Sequence, residues 1–327
     1  MEIEAKSRRL AEMIQSWAGE EDGNADLARY TLIEYLAKYH FDDYEPCLAP
    51  PQPFMARLWD WLTNVQDSAT RRSLFALLDH LIYFNRNQFH TLYRTAFSSR
   101  IRPWLFDHTR QLVDAPGFEA AFDQVLARTW FCPVTDSMRI NAFYHANRLS
   151  NVRYRPDWYS LAKFGDEQKL SAYLGPGGEY ERLVLLEDFV GTGRQMRTAA
   201  EFAANLPSAP AVLLVPLLSL GDAAAVGEAL ALAFPRLSYA PVVVLDSTSQ
   251  IRPTAAASDL PWQVSARELV EELHPRVKGE RVSLMPFGYG DCGALASMYS
   301  NTPNNSLPLL HHDSLTWNAL LPRTARV

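Results

Sequence analysis

The chain has 327 residues, 48% of them hydrophobic, and a formal net charge of −6. That is enough apolar material for a substantial core in one large or two ordinary domains, and the acidity argues against direct nucleic-acid binding through an extended basic surface. No apolar run approaches the roughly 18 residues that span a bilayer, and the opening MEIEAKSRRLAEMIQSW lacks a basic-then-apolar signal pattern, so no membrane contact is expected. Three scattered cysteines, Cys47, Cys132 and Cys292, form neither a metal-ligand pair nor a disulfide framework, which fits a reducing cytoplasm.

Residues 1–125 read as a helical region. Leu10, Met13, Ile14 and Trp17 recur at helical spacing, as do Leu74, Leu77, Leu78 and Leu81. The run CLAPPQP, Cys47 to Pro53, interrupts the pattern and links two helical groups. From 126 to 327 the character changes, and apolar runs alternate with helical patterns. Strands are expected at Thr129–Val134, Arg182–Glu187, Ala211–Leu217, Tyr239–Leu245 and Val282–Pro286. Helices are expected at Ser137–Leu149 (with Asp136 or Ser137 as N-cap), Arg194–Asn205, Ala223–Phe234 and Ala266–Leu273. The alternation implies an α/β domain with a mainly parallel sheet, preceded by the helical N-terminal region. Ser150 to Tyr180 stands outside it. Its Arg153, Arg155, Lys163, Lys169 and Gly175-Pro176-Gly177-Gly178 suggest a lid beside a ligand site.

Chemistry concentrates in Leu183-Val184-Leu185-Leu186-Glu187-Asp188-Phe189-Val190-Gly191-Thr192-Gly193-Arg194-Gln195. An apolar run of this kind suits a strand buried in a parallel sheet, and open α/β sheets bind ligands at the carboxyl ends of their strands. Two adjacent carboxylates there can accept hydrogen bonds from sugar hydroxyls or hold Mg2+. The glycine-spaced turn into a helix lets a phosphate approach backbone N–H groups. The segment is not a P-loop, because no Gly-Lys-Ser/Thr follows, and it lacks the third glycine of a dinucleotide fingerprint.

The segment resembles the phosphoribosyl-pyrophosphate motif of type I phosphoribosyltransferases, with Glu187-Asp188 as the acids and Gly191-Thr192-Gly193 as the loop. The resemblance implies that Glu187 and Asp188 contact the ribose 2′- and 3′-hydroxyls and that Gly191, Thr192, Gly193, Arg194 and Gln195 hold the 5′-phosphate. Arg194 and Gln195 depart from the family pattern, which has small or hydroxyl residues there. Mg2+ is the cofactor expected with phosphoribosyl pyrophosphate, neutralising the leaving diphosphate. Thr135, Ser137 and Arg139, after the first expected strand, are candidates for the pyrophosphate side. No general base stands out, and Asp246 after the PVVVL run is a guess.

A second polar concentration runs from Ser300 to Pro308. Such Asn, Ser and Pro clusters make hydrogen-bonded turns, yet Asn301, Thr302, Asn304 and Asn305 are also candidates for a base or acceptor pocket near the acid pair. Together the two segments resemble a divergent phosphoribosyltransferase-like family of prokaryotic conflict systems, some members of which accompany retron reverse transcriptases. That resemblance implies an antiphage effector working on a ribose-phosphate or nucleotide. The alternative is a non-catalytic nucleotide-binding module that docks on a partner such as a reverse transcriptase complex. His311-His312-Asp313 is a weak metal candidate, so no metal site is assigned to protein side chains. His145 reads as a packed or surface residue, and Cys292 has no evident histidine partner.

Overall fold

The computed structural model describes residues 2–20, 23–149, 170, 173–281 and 283–324. In chain order these form helices α1 (Glu2–Trp17), α2 (Gly23–Tyr39), α3 (Phe54–Thr63) and α4 (Ser68–Ala76), then strand β1 (Ile82–Phe84). Next come α5 (Arg86–Thr95), α6 (Arg102–Asp107), α7 (Phe118–Ala127), β2 (Thr129–Pro133) and α8 (Ile140–Ala146). After them run β3 (Arg182–Val190), α9 (Arg194–Ala204), β4 (Ala211–Leu220), α10 (Gly221–Ala233), β5 (Leu237–Tyr239) and β6 (Val243–Leu245). The chain ends with α11 (Pro261–Lys278), β7 (Ala296–Met298) and α12 (Pro308–His311).

Two compact units result. Unit 1 joins Met1–Arg86 to Ser247–Val327, and unit 2 is Asn87–Asp246. Within unit 1 the C-terminal stretch packs with the N-terminal helices.

Unit 2 is the α/β part. Its sheet runs β2-β3-β4-β5, β6 also pairs with β4, and every pairing is parallel. β3 and β4 are buried along almost their whole length, which explains their continuous apolar character. Met196, Ala199, Ala200 and Ala203 of α9 and Ala223 and Leu230 of α10 complete the core beneath them. The single strand expected over Tyr239–Leu245 is two short ones, β5 and β6, on different stretches of β4.

Unit 1 is stitched from sequence-distant pieces. Trp61 of α3 and Trp317 both donate to the Leu309 carbonyl, at 2.7 and 2.9 Å. Tyr44 Oη lies 2.9 Å from Thr302 Oγ1 and 3.1 Å from Leu321 O. β1 and β7 pair in parallel across most of the sequence, Ile82 opposite Ala296. Leu295 sits where the chain leaves and re-enters the unit: its carbonyl accepts from Ile82 N at 2.8 Å, and its N–H donates to Ser249 O at 2.9 Å. The strand expected at Val282–Pro286 is absent over the described residues Ser283–Pro286, which form turns. β7 lies fourteen positions nearer the C-terminus, counted from Val282 to Ala296.

Candidate active site

β3 outruns its neighbour on one side. β2 ends at Pro133, opposite Leu186, whereas β3 continues past the acids to Val190 alongside β4. The carboxylates therefore do not end their strand, as the sequence suggested. They emerge beside the chain leaving β2, and Thr135 and Ser137 on that chain meet them.

Thr135 N donates to Glu187 Oε2 at 2.8 Å, and Thr135 Oγ1 to Glu187 Oε1 at 2.5 Å. Ser137 Oγ stands 2.8 Å from Asp188 Oδ1 and 3.1 Å from Glu187 Oε1. The two hydroxyls are 2.6 Å apart. Phe189 N closes the arrangement on Asp188 Oδ1 at 2.8 Å. Ser137 was a candidate helix cap. Instead α8 starts at Ile140 without a side-chain cap, because the serine hydroxyl is engaged by the acids.

Glu187 and Asp188 are each only 4% exposed. Burial pushes the Glu187 carboxyl well above its ordinary range, and the adjacent Asp188 adds to the shift against the hydrogen bonds from Thr135 and Ser137.

Beyond the strand, Gly193 takes φ 76°, a conformation that suits glycine, and opens α9 without a side-chain cap. A Cβ on Gly193 would meet the Val226 side chain of α10 at 3.2 Å, so the turn is also closely packed. Thr192 Oγ1 accepts from Arg194 N at 3.3 Å. Arg194 and Gln195 are exposed on the first turn of α9, where an anion finds outward N–H groups and the positive end of the helix dipole.

The remaining candidates are placed as follows. Arg139 is exposed at the start of α8, and Asp246 is exposed just after β6. Asn301, Thr302, Asn304 and Asn305 belong to unit 1, whereas the acids belong to unit 2. Asn301 Oδ1 accepts from Thr302 N and Thr324 N at 3.1 and 3.2 Å, and Asn305 Nδ2 donates to Tyr289 O at 2.9 Å. Only Asn304 of the four is exposed. His145 lies exposed on α8, and Cys292 is buried. Most of the segment expected as a lid, with Arg153, Arg155, Lys163 and Lys169, lies outside the described residues. Among the described residues no three His, Cys, Asp or Glu side chains converge as a metal would require.

The PRTase-CE family model matches residues 58–323. No curated protein and no solved structure matches the chain. The matched span contains the acid pair, the Thr135–Ser137 hydroxyls, the glycine turn and the whole parallel sheet. The chain belongs to the PRTase-CE family and is a phosphoribosyltransferase-like protein.

Proposed function

We propose that unit 2 binds a ribose 5-phosphate or phosphoribosyl pyrophosphate at the carboxyl edge of β3. One observation carries this: two buried carboxylates already accept hydrogen bonds from two neighbouring hydroxyls, Thr135 and Ser137, directly before an uncapped helix start. A ribose diol presents the same donors as those hydroxyls. It takes their place on Glu187 and Asp188 while the 5′-phosphate reaches the Gly191–Gln195 turn. Arg194 supplements the phosphate charge. When bound, Mg2+ supplies neutralisation of the leaving diphosphate. The role of this chain's residues is to hold the sugar: the acids fix its diol, the turn fixes its phosphate, and the buried setting keeps water from the carboxylates.

Ribosyl transfer, displacing diphosphate or a base at the anomeric carbon, is the activity this reading supports. The resemblance to conflict-system proteins extends it to a cytoplasmic effector of antiphage defence with a reverse transcriptase complex as partner. Isothermal titration with phosphoribosyl pyrophosphate and Mg2+, followed by a product assay, tests the reading. Binding with turnover is expected. Binding without turnover favours a nucleotide-binding module, and no binding to any ribose phosphate overturns both.

A further inference from the structure

At the opposite end of β3 a second set of charged residues has no role in the reading above. Arg182 opens the strand, five residues and so roughly 16 Å before Glu187. Its side chain is 11% exposed, and Nη2 pairs with Glu181 Oε2 at 3.1 Å. The Nε and Nη1 groups of the same guanidinium are buried without any hydrogen-bond partner. Glu181 is shared, because its Oε1 also takes Arg128 Nη1 at 2.8 Å. Arg128 Nη2 donates in addition to Gly178 O at 2.9 Å.

Arg110 adds like charge around Arg182 and His108. Burial, then Arg128 and Arg110, disfavour the charged form of Arg182 against the pull of Glu181. Burial, Arg182 and Arg110 hold His108 below the ordinary histidine range, with Asp107 and Glu181 opposing. Two guanidinium groups thus share the single Glu181 carboxylate, and Arg110 adds like charge around Arg182. Buried donors without acceptors are costly, and a surplus of like charge around them adds to the cost. An added anion relieves both. The Arg128 side chain is 43% exposed, so this long chain repacks readily beside Glu181 and Arg182.

We propose that Arg128 and Arg182 form a second anion site, separate from the Gly191–Gln195 turn, that takes a phosphate group on the unpartnered N–H groups of Arg182. Phosphate is the preferred class because its charge and multiple acceptor oxygens match several guanidinium donors at once. Sulfate shares the geometry, whereas chloride offers neither the charge nor the separated acceptors.

The test reads Arg182 directly. The Nε–H resonance of Arg182, assigned by its loss in Arg182→Lys, is followed by heteronuclear NMR while inorganic phosphate or ribose 5-phosphate is added. A saturable shift is expected, with chloride at matched ionic strength leaving the resonance unmoved. Equal midpoints for the two probes identify a site for the free oxyanion, and a tighter midpoint for the ester identifies a site for phosphate monoesters. Arg128→Ala should weaken the response at least about tenfold, as loss of charge-assisted hydrogen bonds implies. Glu181→Gln, which removes the competing acceptor, should strengthen it. A resonance indifferent to phosphate, a response shared by chloride, or one unchanged in Arg128→Ala overturns the proposal.

Discussion

Glu187 and Asp188 in unit 2 and Asn301, Thr302 and Asn305 in unit 1 are all buried polar residues with several partners. They differ in what those partners leave over. In unit 1, amides and hydroxyls meet backbone donors and acceptors of their own unit, and no charge is involved. In unit 2, two carboxylates share two hydroxyls and two backbone N–H groups, and burial strains the ionised state. A closed neutral network stabilises the fold. A buried acid pair is a stored demand for donors, which a ligand can meet.

The largest expected effect breaks that contrast at the acids. Glu187→Gln with Asp188→Asn keeps size and removes charge. Charge-assisted hydrogen bonds contribute about 1.5–3 kcal/mol each, so two lost bonds should weaken binding of phosphoribosyl pyrophosphate roughly a hundredfold or more by titration calorimetry. Stability should hold. The folded parent keeps a proton on Glu187 that the unfolded chain releases, so its stability falls as pH rises through the raised value. The double variant should lose that slope in urea titrations at several pH values. Unchanged affinity would sink the site assignment.

His311 sharpens the comparison in unit 1. Burial lowers its pKa from 6.5 to about 4, with Arg323 and His312 assisting, and its ring Nε2 lies 3.1 Å from Ser306 O. The unfolded chain takes up a proton that the folded one refuses, so stability present above pH 6.5 is lost as pH falls toward 4. A shift of this size corresponds to roughly 3 kcal/mol. His311→Gln, which retains a donor for Ser306, should flatten that part of the curve measured by chemical denaturation. A curve identical to the parent's would show that another group governs acid unfolding.

Thr302 carries the next effect. Its hydroxyl lies 2.9 Å from Tyr44 Oη, 2.7 Å from Ser297 Oγ and 3.2 Å from Leu321 O. Thr302→Val leaves these buried groups short of a partner and should lower stability by about 2 kcal/mol. Ribose-phosphate affinity should not change. A variant of normal stability and reduced affinity would instead support the base-pocket reading of this segment.

The smallest expected change is Gly193→Ala. A positive φ at a non-glycine residue costs about 1 kcal/mol, and the contact with Val226 makes relief by local movement harder. Thermal denaturation should register that loss, and affinity for inorganic phosphate at the turn should fall with it. An alanine variant with the parent's melting temperature and affinity would separate the turn from both roles.

The parts of the fold that were legible in the sequence are those governed by local pattern. Apolar runs long enough to be buried on both faces marked β3 and β4, and the turn residues after them placed α9 and α10 to within two residues. β1 and β7 escaped because three-residue strands carry no periodicity, and their pairing joins residues 82 and 296. The division into units escaped for the same reason: helical spacing in α1 and α3 says nothing about the C-terminal partners of Trp61 and Tyr44. At the site, the acids, Thr135 and Ser137 were legible as residue types. Their mutual bonds were not, since the register that sets Pro133 opposite Leu186 decides which side chains meet. The pairing of Arg128 and Arg182 on Glu181 gave no signal, because Arg128 lies on a separate stretch from the other two.

The meeting of Ile82 and Ser249 on Leu295 gives the chain a history during its synthesis. Residues 87–246 leave the ribosome whole before Leu295 exists, so unit 2 can complete its sheet while the first part of unit 1 still waits. Once compacted, the insertion no longer acts as a long slack loop, and the closure of β1 on β7 meets a much smaller entropic barrier. A lesion that delays the parallel sheet would therefore show itself far away, as helices at the N-terminus left exposed to proteases and chaperones.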